Sequence, residues 1–328
     1  MRALRANTFG RPGEVLELIE TGSLQPAAGQ AVVEVEAASM NFADILFCEG
    51  KYQVRAEPPF TPGLEVAGTV TAVGDSAESA LIGQRVVAMT IPPHGAFAEQ
   101  AMVDSTLSVK LPDSMPSVDA TAMFVSYQTS WVALHTRAQL MAGETLLVHA
   151  GAGGVGSAAI QLGVAAGARV IATAGGAAKA ARCLDLGAEI AIDYRKDDFV
   201  SIVNDATNGR GADVIYDPVG GEVFDRSRKC IAWEGRILII GFASGTIPAA
   251  PMNHALVKNY SLVGVHWGAY GQRQPQVIQE AQNALAELHE AGSIAPVIDG
   301  IVDLDGVPDA LERLANRATT GRIVVCPR

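Results

Sequence analysis

The stretch Gly151-Ala152-Gly153-Gly154-Val155-Gly156 follows the apolar run Leu146-Leu147-Val148-His149-Ala150 and opens an alanine-rich segment. Glycines at this spacing suit a phosphate-bearing ligand. The first permits a tight turn and the second lets the backbone approach a pyrophosphate. The third lets a helix pack closely on the preceding strand, with the helix's N-terminal N–H groups facing the anion. The spacing alone is a weak signal, and the strand ahead and helix behind turn it into a dinucleotide site. Gly151 is therefore assigned to the cofactor site as its turn residue, and Gly153, Gly154, Val155 and Gly156 to the pyrophosphate.

The second strand, Ala168–Ala174, arrives on schedule and ends about twenty residues past the loop, where a site for NAD carries an acid that accepts from the ribose 2′-OH. This chain has Ala174-Gly175-Gly176 there. A small neutral turn leaves room for a 2′-phosphate, and Lys179 or Arg182, at i and i+3 on the next helix, could supply its cation. NADPH is the expected cofactor, with Gly175 at its turn and either Lys179 or Arg182 as its cation.

These residues need a scaffold. From Leu146 to Trp267 strands and helices alternate, with strands expected at Leu146–Ala150, Ala168–Ala174, Glu189–Tyr194, Asp213–Asp217, Arg236–Phe242 and Ser261–Trp267. Short apolar strands separated by helices imply an α/β fold, here a doubly wound six-stranded parallel sheet of Rossmann type. Residues 1–120 differ. They show alternating runs such as Gln30–Glu36 and frequent turn signals (Pro26, Pro58-Pro59, Pro62-Gly63, Gly74-Asp75, Pro92-Pro93), which predict a mostly antiparallel β domain. Beyond 268, an amphipathic helix over Gln274–Gly292 and strands over Val297–Val302 and Arg322–Cys326 form a tail too short for a third domain. The expected division is 1–120 with 268–328, and 121–267.

At 328 residues the chain has the length for two cores, and 49% hydrophobic residues can fill them. The net charge of −11 and the scattered basic residues argue against nucleic acid as a partner. Cys48, Cys183, Cys230 and Cys326 form no C-x-x-C pair, and the six histidines form no local ligand pair, so neither disulfide nor structural zinc is expected. Met1–Arg5 carries charge with no apolar stretch after it, and the charge-poor 145–178 segment is broken by glycine, Gln161 and Arg169. No membrane partner and a cytoplasmic location are expected.

Asn41-Phe42-Ala43-Asp44, Gly50-Lys51-Tyr52, Pro62–Gly68, His94–Glu99 and Ala150–Gly156 together resemble the zinc-free quinone oxidoreductases, the zeta-crystallin group of the medium-chain dehydrogenase/reductase superfamily. The resemblance runs nearly end to end. It implies that the first domain is GroES-like. Zinc members of the superfamily place a Cys at Asn41 and a His at Leu64, and carry a four-cysteine lobe after the segment matching Gly83–Val86; neither Asn nor Leu is a usable zinc ligand. No metal is expected. Hydride transfer without a Lewis acid calls for a strongly electrophilic small molecule. The resemblance implies an NADPH-dependent reductase of small quinones, with a reductase of activated C=C bonds (2-alkenals, enones, enoyl thioesters) as the alternative and a non-catalytic, crystallin-like nucleotide binder as a third.

The resemblance also implies roles for single residues. Tyr52 is expected to donate a hydrogen bond or proton to the reduced oxygen, Asn41 to hydrogen-bond the acceptor or a water at the vacated metal position, and Asp44 and Glu65 to be structural partners of backbone or basic groups. Tyr194 is expected beside the 2′-phosphate with Lys179. Thr129, Gly241, Phe242 and Ala243 are expected around the nicotinamide and ribose, and Arg317 returns from the tail towards the phosphate region. Relatives pair the last Rossmann strand across a two-fold axis, so a homodimer through Ser261–Trp267 is expected.

Overall fold

The computed structural model describes residues 1–53 and 56–327, without the Ala77 side chain. The chain forms two compact units, Met1–Val125 with Pro296–Arg328, and Ser126–Ala295.

In the second unit six parallel strands lie in the order Ile190–Asp193, Arg169–Ala174, Thr145–Val148, Ala212–Asp217, Ile231–Ile239, Ser261–Gly264. This is the doubly wound order, with the switch point between Thr145–Val148 and Ala212–Asp217. Leu146, Leu147, Val148, Val170, Ile171, Val214, Ile215, Ile237 and Leu238 are buried, as the central strands of a sheet covered on both faces must be. The turns that follow the strands' C-terminal ends carry the glycine loop, Gly175-Gly176, Asp193–Arg195, Asp217–Gly221 and Gly241–Gly245.

Three sequence expectations shift. The fifth strand begins at Ile231, because Ala212 already pairs with Ile231 ahead of a register shift, and Glu234 takes a left-handed φ of 59° inside the strand. The sixth strand stops at Gly264, although Val265 N–H still reaches Ile239 O at 3.1 Å. Trp267 then turns inward and its indole N–H donates to Gln128 Oε1 at 3.1 Å. The division of the tail also differs from the expected one, since residues 268–295 belong to the second unit. Polar contacts hold them there. Gln128 donates to Gln282 Oε1 of helix Pro275–Glu290 at 2.7 Å, Tyr127 OH to Ala295 O at 2.7 Å, and Ala295 N–H to Gln161 Oε1 at 2.8 Å.

In the first unit Ile298–Val302, Arg322–Val325, Gln30–Ser39, Glu65–Val73, Arg85–Met89 and Val109–Lys110 follow one another across a sheet, and Gln100–Asp104 also pairs with Gln30–Ser39. All neighbours are antiparallel except Ile298–Val302 with Arg322–Val325. The tail strand Arg322–Val325 thus joins the sheet through Val324 opposite Ser39 and Val325 opposite Ala38, which carries Arg322 to the start of helix Phe42–Cys48. Val33, Val66, Val86, Phe97, Val103, Leu311 and Ile323 fill the core. Among the described residues no helix is long and apolar enough to cross a membrane.

Candidate active and nucleotide-binding sites

The glycine loop leaves strand Thr145–Val148 through Ala150, which takes a φ of 52°. Gly151 N–H donates to Thr173 O and Gly153 N–H to Ala150 O, both at 2.9 Å. Helix Gly154–Ala165 starts from an extended Gly153 with no side-chain cap, and Ser157 N–H reaches back to Gly153 O at 2.8 Å. The N–H groups of Gly154, Val155 and Gly156 precede any intrahelical acceptor, the arrangement that favours an anion. A Cβ at Gly153 would meet only Ala150 O, at 3.3 Å, so this face of the loop is open.

At the end of the second strand Gly176 has a φ of 103°, and a Cβ on Gly175 would lie 2.6 Å from the Tyr194 hydroxyl oxygen. Gly175 and Tyr194, 42% exposed, are thus brought together. Lys179 sits half-buried on the next helix, Ala177–Asp185. Arg182, the other candidate cation on this helix, faces Asp185 at 3.8 Å. Across the sheet the Gly241–Ala243 loop is tied to its neighbour by Ala243 N–H to Pro218 O at 3.0 Å, while Asp217 Oδ1 accepts from Val219 and Gly220 N–H. Phe242 is packed against the Gly220 backbone. Thr129 is half-buried on helix Ser117–Trp131. Arg317 belongs to the first unit, where it closes helix Val307–Ala315 with a φ of 56° and an exposed side chain.

Beneath the glycine loop lies His149, fully buried, with Nδ1 3.0 Å from Thr173 Oγ1 and Nε2 2.8 Å from Ser227 Oγ. Burial pushes its imidazole down to about 4. The unfolded chain takes up this proton near the ordinary value of 6.5, so the stability contributed by neutral His149 is complete above that pH and is lost as pH falls towards 4. The drop is worth roughly 3 kcal/mol. Urea unfolding at pH 7 and near pH 4 should show the wild type losing about that much more than His149→Gln. Equal losses would show that the histidine is not held neutral. Asp44 acts in the opposite sense, its raised pKa removing stability as pH climbs towards 7, and it cancels between the two proteins.

In the first unit Asn41 caps helix Phe42–Cys48, and Asp44 completes a capping box by accepting from Asn41 N–H at 2.7 Å. Asp44 Oδ1 also accepts from Gly63 and Leu64 N–H, at 3.2 and 3.0 Å, tying this helix to the start of strand Glu65–Val73. Complete burial pushes its carboxyl up to about 7, with Glu65 adding and the backbone donors opposing. Asn41 Nδ2 donates to Glu65 Oε1 at 2.8 Å and its Oδ1 accepts from Arg322 at 2.9 Å. Arg322 also donates to Glu65 Oε1, and Val125 N–H donates to Glu65 Oε2 at 2.9 Å. Burial raises the Glu65 carboxyl while Arg322, Val125 N–H and Asn41 oppose that rise. All three are donors, so the geometry satisfies the ionised form. Asp44 thus bonds backbone donors, and Glu65 a guanidinium, an amide and a backbone donor.

Arg322 is the residue that sequence reasoning misses. It is 6% exposed, and its Nε has no partner among the described residues. Tyr52 follows the same helix, its N–H donating to Leu46 O at 3.2 Å and its ring packing on the Phe47, Cys48, Phe60 and Leu64 cluster. Burial, helped by Asp44, raises its phenol, so it is protonated at neutral pH and can donate. Among the described residues no group of three or more His, Cys, Asp and Glu is placed to hold a metal ion.

Residues 27–113 match the alcohol dehydrogenase GroES-like domain and residues 154–290 the zinc-binding dehydrogenase family. The chain is 38% identical over 329 residues to quinone oxidoreductase-like protein 2 homolog of Nematostella vectensis, covering 99% of this chain and 88% of that one. It is 34% identical over 312 residues to quinone oxidoreductase-like protein 2 of Bos taurus, covering 95% and 88%. The crystal structure of Escherichia coli quinone oxidoreductase complexed with NADPH superposes over 100% of both chains with a TM-score of 0.92 at 29% identity. With these matches spanning both units, the chain belongs to the quinone oxidoreductases of the medium-chain dehydrogenase/reductase superfamily.

Proposed function

We propose that this chain reduces small quinones with NADPH, by hydride transfer that needs no zinc. One observation carries the cofactor assignment. An uncapped glycine loop and an acid-free Gly175–Gly176 turn flanked by Tyr194 occupy the C-terminal ends of adjacent strands of one parallel sheet. The NADPH held by the E. coli relative supports the same reading.

Bound NADPH supplies the hydride from C4 of its nicotinamide. In this proposal the backbone of Gly153, Gly154, Val155 and Gly156 takes the pyrophosphate, Lys179 and Tyr194 take the 2′-phosphate, and Thr129 and Gly241–Ala243 line the nicotinamide ribose. Gly151 gives the turn. Tyr52 donates a hydrogen bond to the acceptor oxygen as it gains charge, and Asn41 orients the acceptor. Zinc independence is supported by the Asn41 amide, engaged at both ends by Glu65 and the Arg322 guanidinium. Arg317 is kept as a further phosphate contact.

We also propose a homodimer through Ser261–Gly264, the edge strand of the sheet. The exposed Met252, Leu256 and Val257 on the preceding helix are apolar surface a second copy would cover. Four free thiols suit a reducing compartment such as the cytoplasm.

Purified protein offered NADPH or NADH with 1,4-benzoquinone, a naphthoquinone, a short enal and a short enone is expected to turn over both quinones with NADPH. Enal turnover exceeding quinone turnover would replace this reading with that of an activated-alkene reductase. NADPH binding with no turnover on any acceptor would replace it with a non-catalytic one.

A further inference from the structure

The region around the Gly175–Gly176 turn holds a second cation that the functional reading does not use. Arg195 follows the third strand, Ile190–Asp193, which lies beside Arg169–Ala174 with Asp193 opposite Ala174. Its guanidinium lies near the turn, since a Cβ on Gly175 would sit 3.4 Å from Arg195 Nε and one on Gly176 3.5 Å from an Arg195 terminal nitrogen. The side chain is exposed. Among the described residues the ion pairs of this unit engage Arg169, Arg182, Arg210, Arg226, Arg228 and Arg236, and Arg195 is in none of them.

The backbone that carries Arg195 is held in place. Asp193 is only 7% exposed, and its Oδ1 accepts from Gly176 N–H at 2.8 Å and from Arg195 N–H at 3.2 Å. One carboxylate oxygen therefore clamps the turn after the second strand to the residue after the third. The carboxylate is spent on these backbone donors inside the loop, and the side chains nearest to where Cβ atoms of the two glycines would stand are those of Tyr194 and Arg195.

We propose that Arg195 is a specificity-determining cation for the cofactor 2′-phosphate, and that Asp193 is its positioning residue. The inference rests on the NADPH reading above. A planar guanidinium offers a phosphate two parallel N–H donors, which an ammonium does not, so Arg195 adds directional recognition to the point charge of Lys179. The glycines matter because a side chain at 175 would displace Tyr194 and crowd Arg195.

The test is calorimetric titration of wild type, Arg195→Ala and Lys179→Ala with NADPH, NADH, 2′,5′-ADP and 5′-AMP. Arg195→Ala is expected to weaken NADPH and 2′,5′-ADP about tenfold or more, the loss of a charge-assisted pair, and to leave NADH and 5′-AMP unchanged. An equal effect on phosphorylated and unphosphorylated ligands, or none on either, overturns the proposal. A wild type that prefers NADH overturns the NADPH reading itself. Selectivity lost in Lys179→Ala and kept in Arg195→Ala overturns only the role of Arg195.

Asp193→Ala and Asp193→Asn separate positioning from charge, because both remove the carboxylate's charge and only Asn keeps an oxygen for the two N–H groups. The ratio of NADPH to NADH affinity should fall several-fold further in Asp193→Ala than in Asp193→Asn. Equal ratios in the two variants overturn the positioning role.

Discussion

Arg322→Met should destabilise the first unit by about 3–5 kcal/mol, the cost of leaving one member of a buried ion pair uncompensated. In the wild type Glu65 is fully buried, and the Arg322 guanidinium reaches both its carboxylate and the Asn41 amide oxygen. Methionine fills comparable volume, so the expected loss is electrostatic more than steric. Pairing it with Glu65→Leu removes the stranded charge as well and should recover at least about 1 kcal/mol, since replacing both partners by apolar groups is far cheaper than removing one. All three tryptophans, Trp131, Trp233 and Trp267, lie in the second unit, so the transition is followed in urea by far-ultraviolet circular dichroism. A loss below about 1 kcal/mol for Arg322→Met, or no recovery in the double variant, would refute the pair's assigned role.

That pair also marks where sequence reading runs out. The glycine loop is legible because each glycine reports a backbone requirement within six residues, and the strand and helix on either side confirm it. Arg322 reads as the first residue of a strand after a Thr-Thr-Gly turn, with nothing local to say that its side chain points inward. Its partners Asn41 and Glu65 are 281 and 257 residues away, brought to it by the pairing of Val324 with Ser39. Asn41 itself is found only through the resemblance. The residue pattern does not distinguish a helix cap from an acceptor ligand, and here the residue stands at the helix N-cap while its side chain faces a buried guanidinium.

The tail shows the same limit at the level of domains. The 3.6-residue periodicity of 275–290 locates a helix, and the observed bounds Pro275–Glu290 lie close to the expected ones. Periodicity does not say which unit the helix docks on. Gln282 against Gln128 and Ala295 against Tyr127 and Gln161 decide that, by neutral polar contacts that composition and spacing do not announce. Asp193 is a similar case. As a strand-end acid it is indistinguishable in sequence from one that meets a ribose, and only its burial and its two backbone donors show that it braces the turn.

Gly156→Ala should abolish measurable NADPH binding, with affinity falling a hundredfold or more, and should also lower the stability of the second unit by about 1–3 kcal/mol, the usual cost of forcing an atom into a packed site. A Cβ there would lie 2.2 Å from Ala150 O, 2.8 Å from Ala150 C and 2.9 Å from Gly151 Cα. All three are backbone atoms, so no side chain can swing away. The start of helix Gly154–Ala165 must instead lift off the turn, moving the N–H groups of Gly154, Val155 and Gly156 from the place proposed for the pyrophosphate. Gly153→Ala separates the two effects. Its Cβ would meet only Ala150 O at 3.3 Å, a contact the fold can relax, yet it would stand on the open face proposed for the pyrophosphate. Gly153→Ala should therefore weaken NADPH while leaving the urea midpoint near that of the wild type, and Gly156→Ala should move both. Tryptophan fluorescence reads the stability of this unit and calorimetry the affinity. Undiminished NADPH binding by Gly156→Ala would mean that the cofactor does not sit on this loop, and with it the proposed hydride transfer would lose its site.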